Sequence, residues 1–114
     1  MVETSHEIKK ILSRYIRELA KANIHPQKVI LFGSRARGIQ ASLSDIDISI
    51  ISDDLEGKGI LERQLLLGRA NKDLQAPLDV TGYTIGEVNR CETGTLLHEI
   101  LKTGIEIPLD DLIH

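Results

Sequence analysis

The chain has 114 residues, 14 basic against 17 acidic side chains and a formal net charge of −3. That length fits one domain with one core, and the mild acidity disfavours a protein that grips duplex nucleic acid by neutralising phosphates. Aromatic residues make up only 3% of the chain, which argues against base-stacking platforms for single strands, and the lone Cys91 excludes an internal disulfide or a cysteine zinc cluster.

The first predicted element is a helix from Glu7 to Ala22. Ile8, Ile11, Leu12, Tyr15, Ile16 and Leu19 recur at three- and four-residue spacing and make one apolar stripe. Thr4 and Glu7 have capping-box spacing, with Ser5 an equally good cap. Val29 to Phe32 is an apolar run of strand character stopped by Gly33, and a short helix or turn is expected over Ser34 to Gly38.

Asp45 to Ser52 alternates strictly, so it should be a strand with Ile46, Ile48 and Ile50 on the core face and Asp45, Asp47 and Ser49 on the other. A polar loop, Asp53 to Gly59, leads to a helix over Ile60 to Leu74, whose apolar side is expected from Leu61, Leu65, Leu66 and Leu67. Pro77 precedes a strand over Leu78 to Tyr83. Thr84 and Glu87 have capping-box spacing and open a short helix ending near Cys91. Thr95 to Thr103 reads as a last helix, with Gly104 as a left-handed cap. Ile105 to Ile107 alternates as a short edge strand before Pro108. This order implies an α/β (α+β) domain, a small mixed sheet with helices packed on one face.

One stretch stands apart: Gly33-Ser34-Arg35-Ala36-Arg37-Gly38, five residues, then Ser44-Asp45-Ile46-Asp47. Gly33 ends a buried strand and permits close backbone approach. Ser34 stands where a helix would begin, so free N–H groups there suit a phosphate. Arg35 and Arg37 add positive charge, and Ser34 and Ser44 add hydroxyl donors. Asp45 and Asp47, two apart on a strand, point to one face with α-carbons about 6.6 Å apart. Such a pair repels unless cations neutralise it, and oxygen donors suit Mg²⁺. If the strand carrying Asp79 lies alongside, three acids converge and could hold two Mg²⁺ ions for an in-line phosphoryl displacement. Each piece alone also has a bland reading, as a common Gly-Ser turn or the solvated face of an edge strand. Asp is depleted in strands, however, and two occur in the strand that follows the phosphate-like loop.

The pattern from Gly33 to Asp47, with Asp79 as third acid, resembles the signature of the nucleotidyltransferase fold of the polymerase β superfamily. The short length resembles its minimal nucleotidyltransferases (MNT), the antitoxins paired with HEPN-domain toxins. The resemblance implies that Gly33 and Ser34 hold a nucleoside triphosphate, that Asp45 and Asp47 bind both metals, and that Asp79 binds the catalytic metal and helps activate the attacking hydroxyl. It implies transfer of AMP from ATP to a tyrosine hydroxyl of a HEPN toxin, and therefore a hetero-oligomer. Larger relatives carry added helical domains for other acceptors, and a chain of this length is expected to take its acceptor from another protein.

Two other readings stay open: an antitoxin that neutralises its partner by occlusion without catalysis, and transfer to RNA ends or a small molecule with a separate acceptor subunit. His6, His25, His98 and His114 show no metal-ligand spacing. Cys91 is expected to be a buried structural thiol. Tyr83 could pack, line the site or itself receive a nucleotide, and Lys9, Lys10, Arg14 and Arg17 form a solvated helix face. Leu109, Leu112 and Ile113 could cover the fold's own core or dock on a partner. With no run approaching the roughly 18 apolar residues of a membrane span and no signal-peptide pattern at Met1 to Ser5, the expected location is the cytoplasm.

Overall fold

The apolar stripe at the start of the chain folds as read: α1 (His6–Lys21) buries Ile8, Leu12, Tyr15, Ile16 and Leu19. The computed structural model describes residues 6–33 and 46–112. The predicted caps Thr4 and Ser5 and the predicted turn over Ser34 to Gly38 lie outside them.

Four strands follow: β1 (Lys28–Phe32), β2 (Ile46–Ile51), β3 (Leu78–Tyr83) and β4 (Ile105–Ile107), in the spatial order β3-β2-β1-β4. β1 runs antiparallel to both β2 and β4, whereas β2 and β3 are parallel. A parallel pair needs a crossover, and α2 (Ile60–Ala70) supplies it. Ile46, Ile48 and Ile50 alternate into the main core with the stripe of α1 and with Leu55 and Leu67, so this sheet face is sealed by α1 and α2. On the opposite face a smaller cluster joins Ile30 and Ile51 to Ile100 of α4 (Leu96–Thr103), with Ile85 and Val88 of α3 (Ile85–Asn89) beside it. The predicted capping box forms, Thr84 accepting from the Glu87 N–H and Glu87 from the Thr84 N–H. Among the described residues, no helix is long and apolar enough to cross a membrane.

Four local expectations change. α2 ends at Ala70 rather than Leu74, because the Asn71 side chain clasps Ala76 through both its amide nitrogen (2.9 Å) and its oxygen (3.1 Å) and turns the chain toward β3. Leu61 and Leu65, expected to face inward, are 75% and 54% exposed, and Ile60 is 81% exposed. Only the C-terminal half of α2 reaches the core, through Leu67 and Ala70, with the expected Leu66 half-buried against it. One turn before Leu67 stands Arg63, which donates to the Gly82 carbonyl at 3.2 Å and so covers part of the outer edge of β3. Gly104 is extended (φ −76°, ψ 166°), not left-handed. The helix passes directly into β4, and a Cβ at Gly104 would come within 2.5 Å of the Ile100 carbonyl and the Ile30 side chain, so glycine serves close approach there. Cys91 is half-buried rather than buried, since α3 stops at Asn89 and leaves the thiol in the connection to α4. Leu112 is buried against the main core, with Leu109 beside it.

The Tyr15 hydroxyl donates to the Leu67 carbonyl at 2.7 Å, tying α1 to α2 across the core, and burial pushes the phenol's pKa well up. Leu67→Ala is expected to cost about 2–5 kcal/mol of unfolding free energy, while Leu61→Ala stays within about 0.5 kcal/mol. Urea unfolding of the two variants checks both values.

Candidate active site

Three of the residues singled out in the sequence are described, and they meet at one end of the sheet. Asp47 on β2 and Asp79 on β3 are direct register partners. Parallel strands lie about 4.8 Å apart and register partners point to the same face, so the two carboxylates stand side by side. That face is the one opposite the α1–α2 core. Asp79 is exposed and Asp47 half-buried. On the other side of β2, Phe32 pairs with Asp47, which sets Gly33 at the rim of the same site.

Gly33 has φ +72°, in the left-handed region, and a Cβ there would collide with the Asp47 carboxylate. Glycine is therefore required twice, once for the backbone and once for the acid that lies against it. Ser34, Arg35, Arg37, Ser44 and Asp45 lie outside the described residues. Among the described residues no group of three His, Cys, Asp or Glu side chains is placed to hold a metal ion, and the third expected acid, Asp45, is beyond them.

The donor set at this point is hard and anionic. Like charges directly opposite on neighbouring strands destabilise a sheet, and a divalent cation taking carboxylate oxygens reverses that sign. The residues present thus fit Mg²⁺ by donor chemistry and by the shared face.

Further along the same face, Ser49 pairs with Thr81 and Ile51 with Tyr83. Arg63 and Glu87 close an ion pair at 2.6 Å beside this region. Burial raises the Glu87 pKa, but the Thr84 N–H and the Arg63 guanidinium outweigh it and hold the carboxyl below its usual value. Burial, then the charge of Glu87, pushes the Tyr83 phenol up. Thr81 was not singled out in the sequence, although the alternation of β3 from Asp79 places it on the acid face two residues on. Ser52, His25 and Asp54 also meet, at the far end of β2. There Ser52 Oγ donates to the His25 carbonyl (2.9 Å), not the imidazole, so they pin a loop and form no nucleophile–base pair.

Comparison with known proteins bears on this geometry. A family model described as "Polymerase beta, Nucleotidyltransferase" matches residues 7–111. A "Putative protein adenylyltransferase MJ1215" of Methanocaldococcus jannaschii is 45% identical over 49 residues, covering 43% of this chain and 56% of that protein. The match thus spans little more than half of the relative's length. The fold is similar to that of a "putative nucleotidyltransferase" from Sulfolobus solfataricus (TM-score 0.63, 23% identity, 88% of this chain and 78% of that one). It is also similar to a toxin-antitoxin solved with AMP-PNP (TM-score 0.54, 24% identity, 87% and 77%) and to the toxin-antitoxin MntA-HpeT in a mutant form (TM-score 0.52, 21% identity, 87% and 76%).

Gly57 provides a control for Gly33: its φ is +79°, and a Cβ there would meet nothing within 4 Å. Gly57→Ala is expected to lose about 1–2 kcal/mol of stability, the left-handed backbone cost alone. Gly33→Ala is expected to lose more, and adding Asp47→Ala should restore the excess in a double-mutant cycle read by urea unfolding.

Proposed function

The chain belongs to the polymerase beta nucleotidyltransferase family, and from that premise we propose that it transfers AMP from ATP to a hydroxyl of a partner protein. The observation that carries the reading is the register pairing of Asp47 with Asp79 beside the left-handed Gly33. Two like charges held on one exposed face are a liability for a module that only binds by occlusion, and a requirement for one that neutralises a triphosphate. A protein acceptor is supported by the name of the archaeal relative, a protein adenylyltransferase. The toxin-antitoxin context of two fold neighbours, together with the sequence resemblance, supports a helical toxin of the HEPN class as that acceptor, a tyrosine as the receiving side chain, and an antitoxin role within a hetero-oligomer.

In this reading Gly33 and Ser34 hold the nucleoside triphosphate, helped by Arg35, Arg37 and Ser44. Asp45, Asp47 and Asp79 would hold two Mg²⁺ ions, which supply charge neutralisation for the transfer. Asp79, the exposed acid, faces the incoming hydroxyl and accepts its proton. The acceptor oxygen forms a bond to the α-phosphorus, the bond from that phosphorus to the bridging oxygen breaks, and pyrophosphate leaves. Catalysis is then mainly positioning and electrostatics.

Asp47→Asn and Asp79→Asn are near-isosteric and should each lower AMP transfer by roughly 10³-fold or more, of the order seen when one preorganised charge is removed, with the fold retained by circular dichroism. Incubation with α-labelled ATP, Mg²⁺ and the candidate acceptor measures this. Full activity in either variant would remove the assignment.

A further inference from the structure

α2 is apolar on two opposite sides. Leu66, Leu67 and Ala70 turn toward the core. Leu61, Leu65 and Gly68 stand at i, i+4 and i+7, which lines them up along one face of a helix, and all three are exposed. A surface helix normally shows water a polar face, and an apolar stripe there marks a surface that something else covers.

Gly68 points to the same conclusion by a separate route. It lies inside the helix, where glycine costs stability relative to alanine. A Cβ added at Gly68 would meet nothing within 4 Å, so the fold of the single chain gives no reason for a glycine. A second helix packed against this point does, because a missing side chain lets two backbones approach.

Charge selects what covers the stripe. Glu62 in the first turn and Arg69 in the last are seven residues apart, so both flank the stripe on the same side. Both are exposed, and neither enters an ion pair among the described residues. An acid at one end and a base at the other, beside one apolar stripe, complement themselves when a second helix runs antiparallel. Centred between Leu65 and Leu66, such a pair sets Leu65 against Leu65 of the second copy, Leu61 against its Gly68 and Glu62 beside its Arg69. The same contacts run in reverse, as a twofold axis requires, and the two helix dipoles oppose each other.

We propose that the outer face of α2 is a homodimer interface: two copies of this chain pack antiparallel through Leu61, Leu65 and Gly68 and are clasped by reciprocal Glu62–Arg69 pairs. α2 seals the sheet face opposite the acids, so the two sheets stand back to back with both acid faces outward. The pairing covers neither site, and it does not depend on the reaction assigned above.

The test is sedimentation equilibrium of the full chain at low salt. The face of one three-turn helix is small for a specific interface, so the wild type is expected to dimerise with a Kd on the order of tens of micromolar. Leu65→Asp should weaken the dimer by roughly tenfold or more. Glu62→Arg and Arg69→Glu each set like charges against each other in the dimer and should each weaken it by about fivefold. Mixed in equal amounts, those two variants should pair with each other at near wild-type affinity, because opposite charges then meet at both ends. Circular dichroism of each variant at low concentration separates loss of fold from loss of pairing. A wild type still monomeric at about 1 mM overturns the proposal, and if Leu65→Asp then slows AMP transfer to a partner protein, the face belongs to that partner. Single-charge variants that dimerise like the wild type, or a mixture that stays monomeric, overturn it as well.

Discussion

Everything at the functional end of this molecule depends on one pairing, Asp47 opposite Asp79 across the parallel β2–β3 ladder. Two carboxylates in register on neighbouring strands work against the sheet that carries them. The fold tolerates them because the other face of the same strands is apolar: Ile46, Ile48 and Ile50 of β2 are buried against α1 and α2, Leu78 and Val80 of β3 pack beside them, and Ile51 is buried on the acid side just beyond the hydroxyls. The strand period of two separates the tasks, so stability and chemistry come from alternate residues of a single six-residue strand.

Gly33 shows how tightly that pairing is built. Its left-handed backbone lets the chain leave β1 at the level of the acids, and its missing side chain is the space into which the Asp47 carboxylate fits. On the outer edge, Arg63 joins the Gly82 carbonyl to Glu87 and the capping box of α3. The strand bearing Asp79 is thus held from both sides, by β2 through the ladder and by α2 through a guanidinium. The face between carries acids, then hydroxyls, then an apolar rung, a gradient from charged to neutral along one direction of the sheet.

Much of this was legible in the sequence because it rests on periodicity and on turn chemistry. The stripe of α1, the alternation of β2 and the Thr84–Glu87 capping box follow local rules, whereas the pairing of β3 with the acid-bearing strand stood in the sequence only as a condition, because strand order is set by long-range packing. The apolar side of α2 was not legible: Leu61, Leu65 and Leu67 look alike in sequence, and only the seat of Arg63 on the β3 edge decides which of them reaches the core. Gly104 was read as a cap because a glycine after a helix usually is one, whereas here the crowding of Ile30 and the Ile100 carbonyl selects it. The Ser49–Thr81 rung escaped notice for a similar reason. Each hydroxyl is ordinary in its own strand, and only the register makes them neighbours.

Magnesium binding to the wild type and to Asp79→Asn, measured by calorimetry together with the urea midpoint, tests most directly whether the paired acids are a cation site. The wild type should bind Mg²⁺ and gain about 1.4 kcal/mol of stability for each tenfold rise in Mg²⁺ above its Kd, as follows for a ligand bound by the folded state alone. Asp79→Asn should be at least as stable as the wild type without metal, since the repulsion is gone, and should lose the Mg²⁺-dependent gain. A wild type indifferent to Mg²⁺, or an Asp79→Asn variant stabilised by it to the same extent, would contradict the pairing as the centre of function.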